Sequence, residues 1–166
     1  MEQLSVSHSS SDSALARLCE KLAVGCGVIE TANAWPSEQL NLCGEAGVYQ
    51  WFLSRQGGGQ EWEEQELVRG YVRLSTACLT TAFIITQRTG ACRRIEASEN
   101  RWLQSHLLPK LAGAESFATV GISHLTTSRR HASRPVLRAE ETPDGFILDG
   151  FSPWVTGAPF ADTVVE

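Results

Sequence analysis

The sequence predicts an α+β fold: an all-α helical bundle followed by the first strands of an antiparallel, barrel-like β domain. Two observations carry this. Up to about Gly113 apolar residues recur at helical spacing, and from Phe117 onward they alternate as strands do. A run of helices followed by a run of strands marks α+β or two successive domains. With 166 residues, 42% hydrophobic and 20% charged, the chain can pack a core, which excludes intrinsic disorder as its main state.

Taken in order, Met1 to Ser11 is Ser-rich and polar, with neither the basic start nor the apolar core of a signal peptide. Residues 1–12 are expected to be a disordered tail. Asp12 or Ser13 can cap a helix through Leu15, Leu18, Leu22 and Ala23, which Gly25 and Gly27 weaken. Trp35-Pro36-Ser37-Glu38 reads as a break and a new start, with Pro36 or Ser37 opening a helix toward Gly44. Gly57-Gly58-Gly59 is a loop, since three glycines cost too much backbone entropy inside an element.

From about Glu61 to Ala97 the pattern is helical, with joints expected at Gly70 and Gly90. Leu67, Tyr71, Leu74, Cys78, Phe83 and Ile85 spread around the axis, as in a helix buried between neighbours. Asn100 opens a last helix ending near Leu111, and Gly113 serves as its C-cap region. Strands are then expected at Phe117–Ser123, Val136–Glu141, Phe146–Gly150, Trp154–Thr156 and Asp162–Val165. Pro143-Asp144-Gly145 supplies the hairpin turn. The seam falls near residues 114–116, giving a helical domain at 13–115 and a partial β domain at 116–166.

The β piece of about 50 residues is marginal alone, and its last strand is an apolar edge. The natural unit is therefore expected to continue beyond Glu166. The net charge of −5 gives no basic face for nucleic acid, and the Arg129-Arg130 pair is too short to make one. No apolar run of about 18 residues predicts a membrane span. Cys19, Cys26, Cys43, Cys78 and Cys92 lack metal-ligand spacing and all fall where helix is expected. They read as small buried hydrophobes in a reducing, cytoplasmic setting.

The segment Leu107-Leu108-Pro109-Lys110-Leu111-Ala112-Gly113-Ala114-Glu115 resembles the point in the acyl-CoA dehydrogenase family where a helix ends and the β domain begins. Val120-Gly121-Ile122-Ser123-His124, the hairpin, Trp154-Val155-Thr156-Gly157 and Ala161-Asp162 follow in the family's order over about 60 residues. Gly57-Gly58-Gly59 stands near the family's Gly-Gly loop. The resemblance implies FAD as cofactor. It places Val120, Ile122 and Ser123 beside the pyrimidine edge of the flavin, Trp154 and Val155 beside the isoalloxazine, and the Thr156 hydroxyl near the reactive ring nitrogen. By residue type alone, a Trp in such a strand more often packs in a core or at an edge. Gly121-Ile122-Ser123-His124-Leu125 lacks the second Gly of a nucleophile elbow, so Ser123 is not read as a nucleophile.

The chain departs from the family at His124, where the family has Glu, and at Thr126–His131, where the family has a Gly-Ser-Asp loop. Ser128 and Arg129 there can meet phosphate or another anionic group of a substrate, the alternative being a solvated loop. The resemblance implies an FAD-dependent oxidoreductase that desaturates an acyl thioester such as acyl-CoA. It also implies an electron acceptor such as an electron-transfer flavoprotein, and a homo-oligomer for the full-length protein. The family's catalytic carboxylate usually comes from a C-terminal helical domain, and no Glu here takes that role by motif. The chain alone is expected to be inactive and to bind FAD weakly or not at all. A flavin-dependent monooxygenase of the same fold is the first alternative, and a non-catalytic helical interaction module the second.

Overall fold

A computed structural model describes residues 3–126 and 136–166. Helix α1 spans Gln3–Ala32 and α2 spans Ser37–Glu45; a short 3-10 turn covers Val48–Gln50. Helices α3 (Glu64–Ala77), α4 (Leu79–Ala97) and α5 (Arg101–Ala112) complete the helical part. Strand β1 (Ala118–Val120), the single turn α6 (Ser123–Thr126), the hairpin β2 (Leu137–Thr142) and β3 (Gly145–Gly150), a 3-10 turn at Ala158–Phe160 and β4 (Thr163–Val165) follow. The α+β class and the order of helices before strands are as the sequence predicts. Among the described residues no helix is long and apolar enough to cross a membrane.

The helix α1 begins at Gln3, inside the stretch expected as tail, and runs through Gly25 and Gly27. Serine costs a helix less than about 0.7 kcal/mol per residue, and no Gly or Pro interrupts the sequence before Gly25. Leu15, Leu18, Leu22 and Ile29 bury one face of the helix against the bundle, while Ala23 is exposed. Asp12 pairs with Arg73, joining α1 to α3. The break after Ala32 and the restart at Ser37 match the reading of Trp35-Pro36.

The joint between α3 and α4 falls at Cys78, not at Gly70 or Gly90. Cys78 has extended backbone (φ −156, ψ 102), so this cysteine lies between helices rather than in one. The two glycines serve close approach instead. A Cβ at Gly70 would meet Trp51 Cζ3 at 2.7 Å, and Trp51 stacks on Trp62 at 4.3 Å. A Cβ at Gly90 would meet Val120 Cγ1 at 3.4 Å, where β1 crosses α4.

Two core clusters result. The first joins α1, α2, residues 48–52, α3 and the start of α4; the second joins Leu53, the end of α4, α5 and β1. Helix α4 is buried on several sides, as its apolar pattern predicts, though Phe83 is exposed. Strand β1 therefore shares a core with helices, and the sequence seam at 114–116 is not a gap in packing.

Asn100 caps α5 by accepting the Leu103 N–H (3.2 Å). The left-handed residue that ends α5 is Ala114 (φ +62); Gly113 has φ −80. The Glu115 N–H donates to Lys110 O (2.9 Å), closing a Schellman-type turn. The hairpin pairs antiparallel from Leu137↔Gly150 to Thr142↔Gly145, with Pro143-Asp144 at the turn. Strand β4 pairs with β1 in parallel, Ala118↔Thr163 to Val120↔Val165. Parallel neighbours require a crossover, and residues 121–162 provide it.

Candidate functional site

Strand β1 stops at Val120, sooner than the alternation through Ser123 predicts. Gly121 turns the chain into α6, so Ser123 and His124 leave the strand for a helical turn. The Gly121 N–H still donates to Val165 O (2.8 Å), extending the β1–β4 ladder by one bond.

Residues 152–156 are not a strand either. Side chains bond two of their backbone groups, the Val155 O accepts from the Ala158 N–H (3.3 Å), and Pro153 has no N–H to give. The Trp154 N–H donates to Ser123 Oγ (3.0 Å), and Thr119 Oγ1 donates to Thr156 O (2.8 Å). Ser152 Oγ donates to Gly121 O and lies 3.3 Å from Ser123 Oγ. These bonds join residues 29 to 37 positions apart in sequence. They clip the Trp154 segment onto the end of β1. His124 Nδ1 lies 3.1 Å from Gly121 O and 3.7 Å from Glu166 Oε2, an ion pair when the imidazole is protonated.

A second seam holds the same region to the bundle. The Phe117 N–H donates to Asp162 Oδ2 (2.8 Å), and the Asp162 N–H to Phe117 O (2.9 Å). Trp35 stacks on Phe160 (4.4 Å, 10°) and meets Phe117 edge-on (5.3 Å, 73°). Gly157, in the left-handed region at φ +71, permits that packing, because a Cβ there would lie 2.5 Å from Trp35 Cη2.

The six positions singled out from the sequence are therefore brought together, with different parts to play. Trp154 is 61% exposed although its backbone N–H is held by Ser123. Val155, Thr156 and Ile122 are half-buried. The Val120 side chain faces the core, packed on Gly90, which leaves only its backbone for a ligand. Ser123 is buried and its hydroxyl holds Trp154 in place. Ser128, Arg129 and His131 lie outside the described residues.

Sequence reasoning missed Thr119 and Ser152, whose hydroxyls tie the two segments; a lone hydroxyl within a predicted strand, as at Thr119, or between two, as at Ser152, carries no pairing signal. What results is a wall: one exposed indole, one threonine and half-buried aliphatic groups. Beside it in sequence, Phe146, Ile147, Leu148 and Phe151 are all exposed on the hairpin and just after it. Among the described residues no group of three or more His, Cys, Asp or Glu is disposed to hold a metal ion.

No protein-family model matches the sequence, and none of the curated proteins matches it significantly. The fold does match solved structures. An electron transferring flavoprotein structure of Acidaminococcus fermentans superposes with TM-score 0.81 at 18% identity, covering 95% of this chain and 42% of that one. A glutaryl-CoA dehydrogenase from Mycobacterium smegmatis in complex with FADH2 gives 0.77 at 18% identity, covering 93% and 41%. The prolyl acyl carrier protein oxidase AnaB gives 0.71 at 18% identity, covering 91% and 43%. The likeness at this identity is one of fold: the N-terminal helical part and the start of the β domain of acyl-CoA dehydrogenases. The chain spans about two fifths of the length of these structures.

Proposed function

We propose that this chain is the N-terminal part of an FAD-dependent oxidoreductase of the acyl-CoA dehydrogenase type, acting on an acyl thioester. The observation that carries the reading is the clip between Ser123 and Trp154 (3.0 Å). Two motifs read separately as touching one flavin are held together by direct bonds. The glutaryl-CoA dehydrogenase of the same fold is a complex with FADH2, which supports the choice of cofactor.

The residues present fit a flavin on one side. Trp154 offers an exposed apolar plate, with the half-buried Val155 and Thr156 next to it in the chain and Ile122 next to the Ser123 that bonds it. An exposed indole on a fixed backbone loses little freedom when a flat ring covers it. Ser123 and Val120 act differently from the other four: Ser123 positions Trp154, and Val120 contributes main-chain groups. FAD, when bound, supplies the two-electron acceptor for hydride removed from the acyl chain, and the protein sets orientation and excludes water. The proton alpha to the thioester carbonyl needs a carboxylate base, and none of the residues named here takes that part. An electron-transfer flavoprotein is the electron acceptor that this reading calls for.

The wall is half of a site, so this chain binds FAD weakly and does not turn over acyl-CoA alone. Mixing the chain with excess FAD and desalting it tests this: the flavin is expected to wash away. A yellow stoichiometric complex that survives desalting contradicts the half-site reading.

A further inference from the structure

Four of the five cysteines gather at the first core cluster. Cys43 and Cys78 belong to it, and Cys19 and Cys26 pack against it from α1. Cys26 follows Leu22 by four residues and precedes Ile29 by three, and both of those are buried, so all three share the face of α1 that meets the bundle. Cys78 is 1% exposed at the α3–α4 joint, where the backbone is extended rather than helical. The Cys26 and Cys78 thiols are in hydrogen-bonding contact, and that contact is the largest of the causes that push the Cys26 thiol up to about 11. Each has a second partner: Cys26 Sγ donates to Glu30 Oε1 (3.6 Å), and Cys78 Sγ lies 3.2 Å from Thr81 Oγ1. Cys26 is half-buried and can be reached from solvent, whereas Cys78 lies behind it in the core.

We propose that Cys26 and Cys78 are a reversible dithiol–disulfide pair that staples α1 to the α3–α4 joint. Both are free thiols in the structure, which is the open form. Closure takes a small-molecule disulfide as oxidant. The Cys26 thiolate attacks it, forms a mixed disulfide and expels one thiolate, which takes up a proton. The Cys78 thiolate then attacks Cys26 Sγ and expels the second. The two cysteines lose two electrons and two protons, and the reagent gains both as two thiols. The burial pattern sets this order: the reachable thiol takes the reagent, and its buried neighbour resolves it. The bond closes a loop of about 50 residues, which removes freedom from the unfolded chain. In a reducing compartment such a pair rests open and closes when an oxidant arrives.

Incubating the folded chain with glutathione disulfide under mildly alkaline conditions, where thiolate is available, tests this. The product is alkylated and digested with trypsin and a glutamyl endopeptidase. Cleavage after Glu30 and Glu38 separates Cys26 from Cys43, so the linked peptides identify the pair. One intramolecular link is expected, Cys26 to Cys78, reversed by reductant. The linked protein should melt about 5–10 °C above the reduced one. Cys26→Ser should give neither the link nor the rise, and Cys19→Ser should give both as the parent does. A Cys26 left unlinked, whether free or carrying glutathione, overturns the proposal. So does a link through Cys19 or Cys43 or between two chains, or an equal rise in Cys26→Ser. A Cys26–Cys78 link with no rise in melting temperature overturns the stapling role.

Discussion

Gly157→Ala tests how the Trp154 segment is anchored. The glycine sits at φ +71, where an L side chain costs about 1–2 kcal/mol. Its new Cβ would lie 2.5 Å from Trp35 Cη2 and 3.2 Å from Phe117 Cε1, so Trp35 must move. Moving Trp35 disturbs its stack on Phe160 at 4.4 Å, a contact worth about 0.5–1.5 kcal/mol beyond area burial. The expected loss is about 2–3 kcal/mol in all. Urea unfolding followed by tryptophan fluorescence measures it as a lower midpoint at unchanged slope. A variant within about 0.5 kcal/mol of the parent, the ordinary range for a surface change, would refute the anchoring role of Gly157 and Trp35.

Gly27→Ala should do the opposite: nothing lies within 4 Å of its Cβ position inside α1, so denaturant unfolding should show a gain of about 0.5–1 kcal/mol. Ala114→Gly relieves the left-handed strain at φ +62 that closes α5, and the melting temperature should rise by the equivalent of about 0.5 kcal/mol. Burial pushes the Cys43 thiol up to about 12 and the Tyr71 phenol to about 12. Both are neutral in the fold and ionise sooner when unfolded, so their contribution is complete below the unfolded pKa values of 9.0 and 10.0 and is lost as pH rises toward 12. Unfolding near pH ~10.5 should be about 2 kcal/mol easier for Cys43 alone, and Cys43→Ala should flatten that part of the profile.

The helical half was legible because its signals are local. Asn100 is a cap by residue type, Trp35-Pro36 stops a helix by geometry, and Pro143-Asp144-Gly145 turns a hairpin. The misplaced joints have one cause: a glycine in sequence does not say whether it bends the chain or admits a neighbour. Gly70 and Gly90 looked like joints and are contact points for Trp51 and Val120, while the real joint is at Cys78, an unremarkable residue type. At the candidate site the composition was readable and the arrangement was not. Alternation placed Ser123 and Trp154 in strands, whereas side-chain bonds from Thr119, Ser123 and Ser152 replace the ladder there. The parallel β1–β4 pairing depends on a crossover of residues 121–162, which no local pattern encodes. The core-facing side of Val120 likewise follows from α4 packing on β1.

The central claim is that Trp154 forms one wall of a flavin site. Titrating FAD with the full chain and reading flavin fluorescence anisotropy tests it most directly, with Trp102→Ala as the comparison, since Trp102 is equally exposed at 60%. The parent and Trp102→Ala should bind weakly and alike. Trp154→Ala should lose about three- to tenfold in affinity, the value of one aromatic stack of 0.5–1.5 kcal/mol. No saturable binding by the parent, or equal affinity in Trp154→Ala, would contradict the claim.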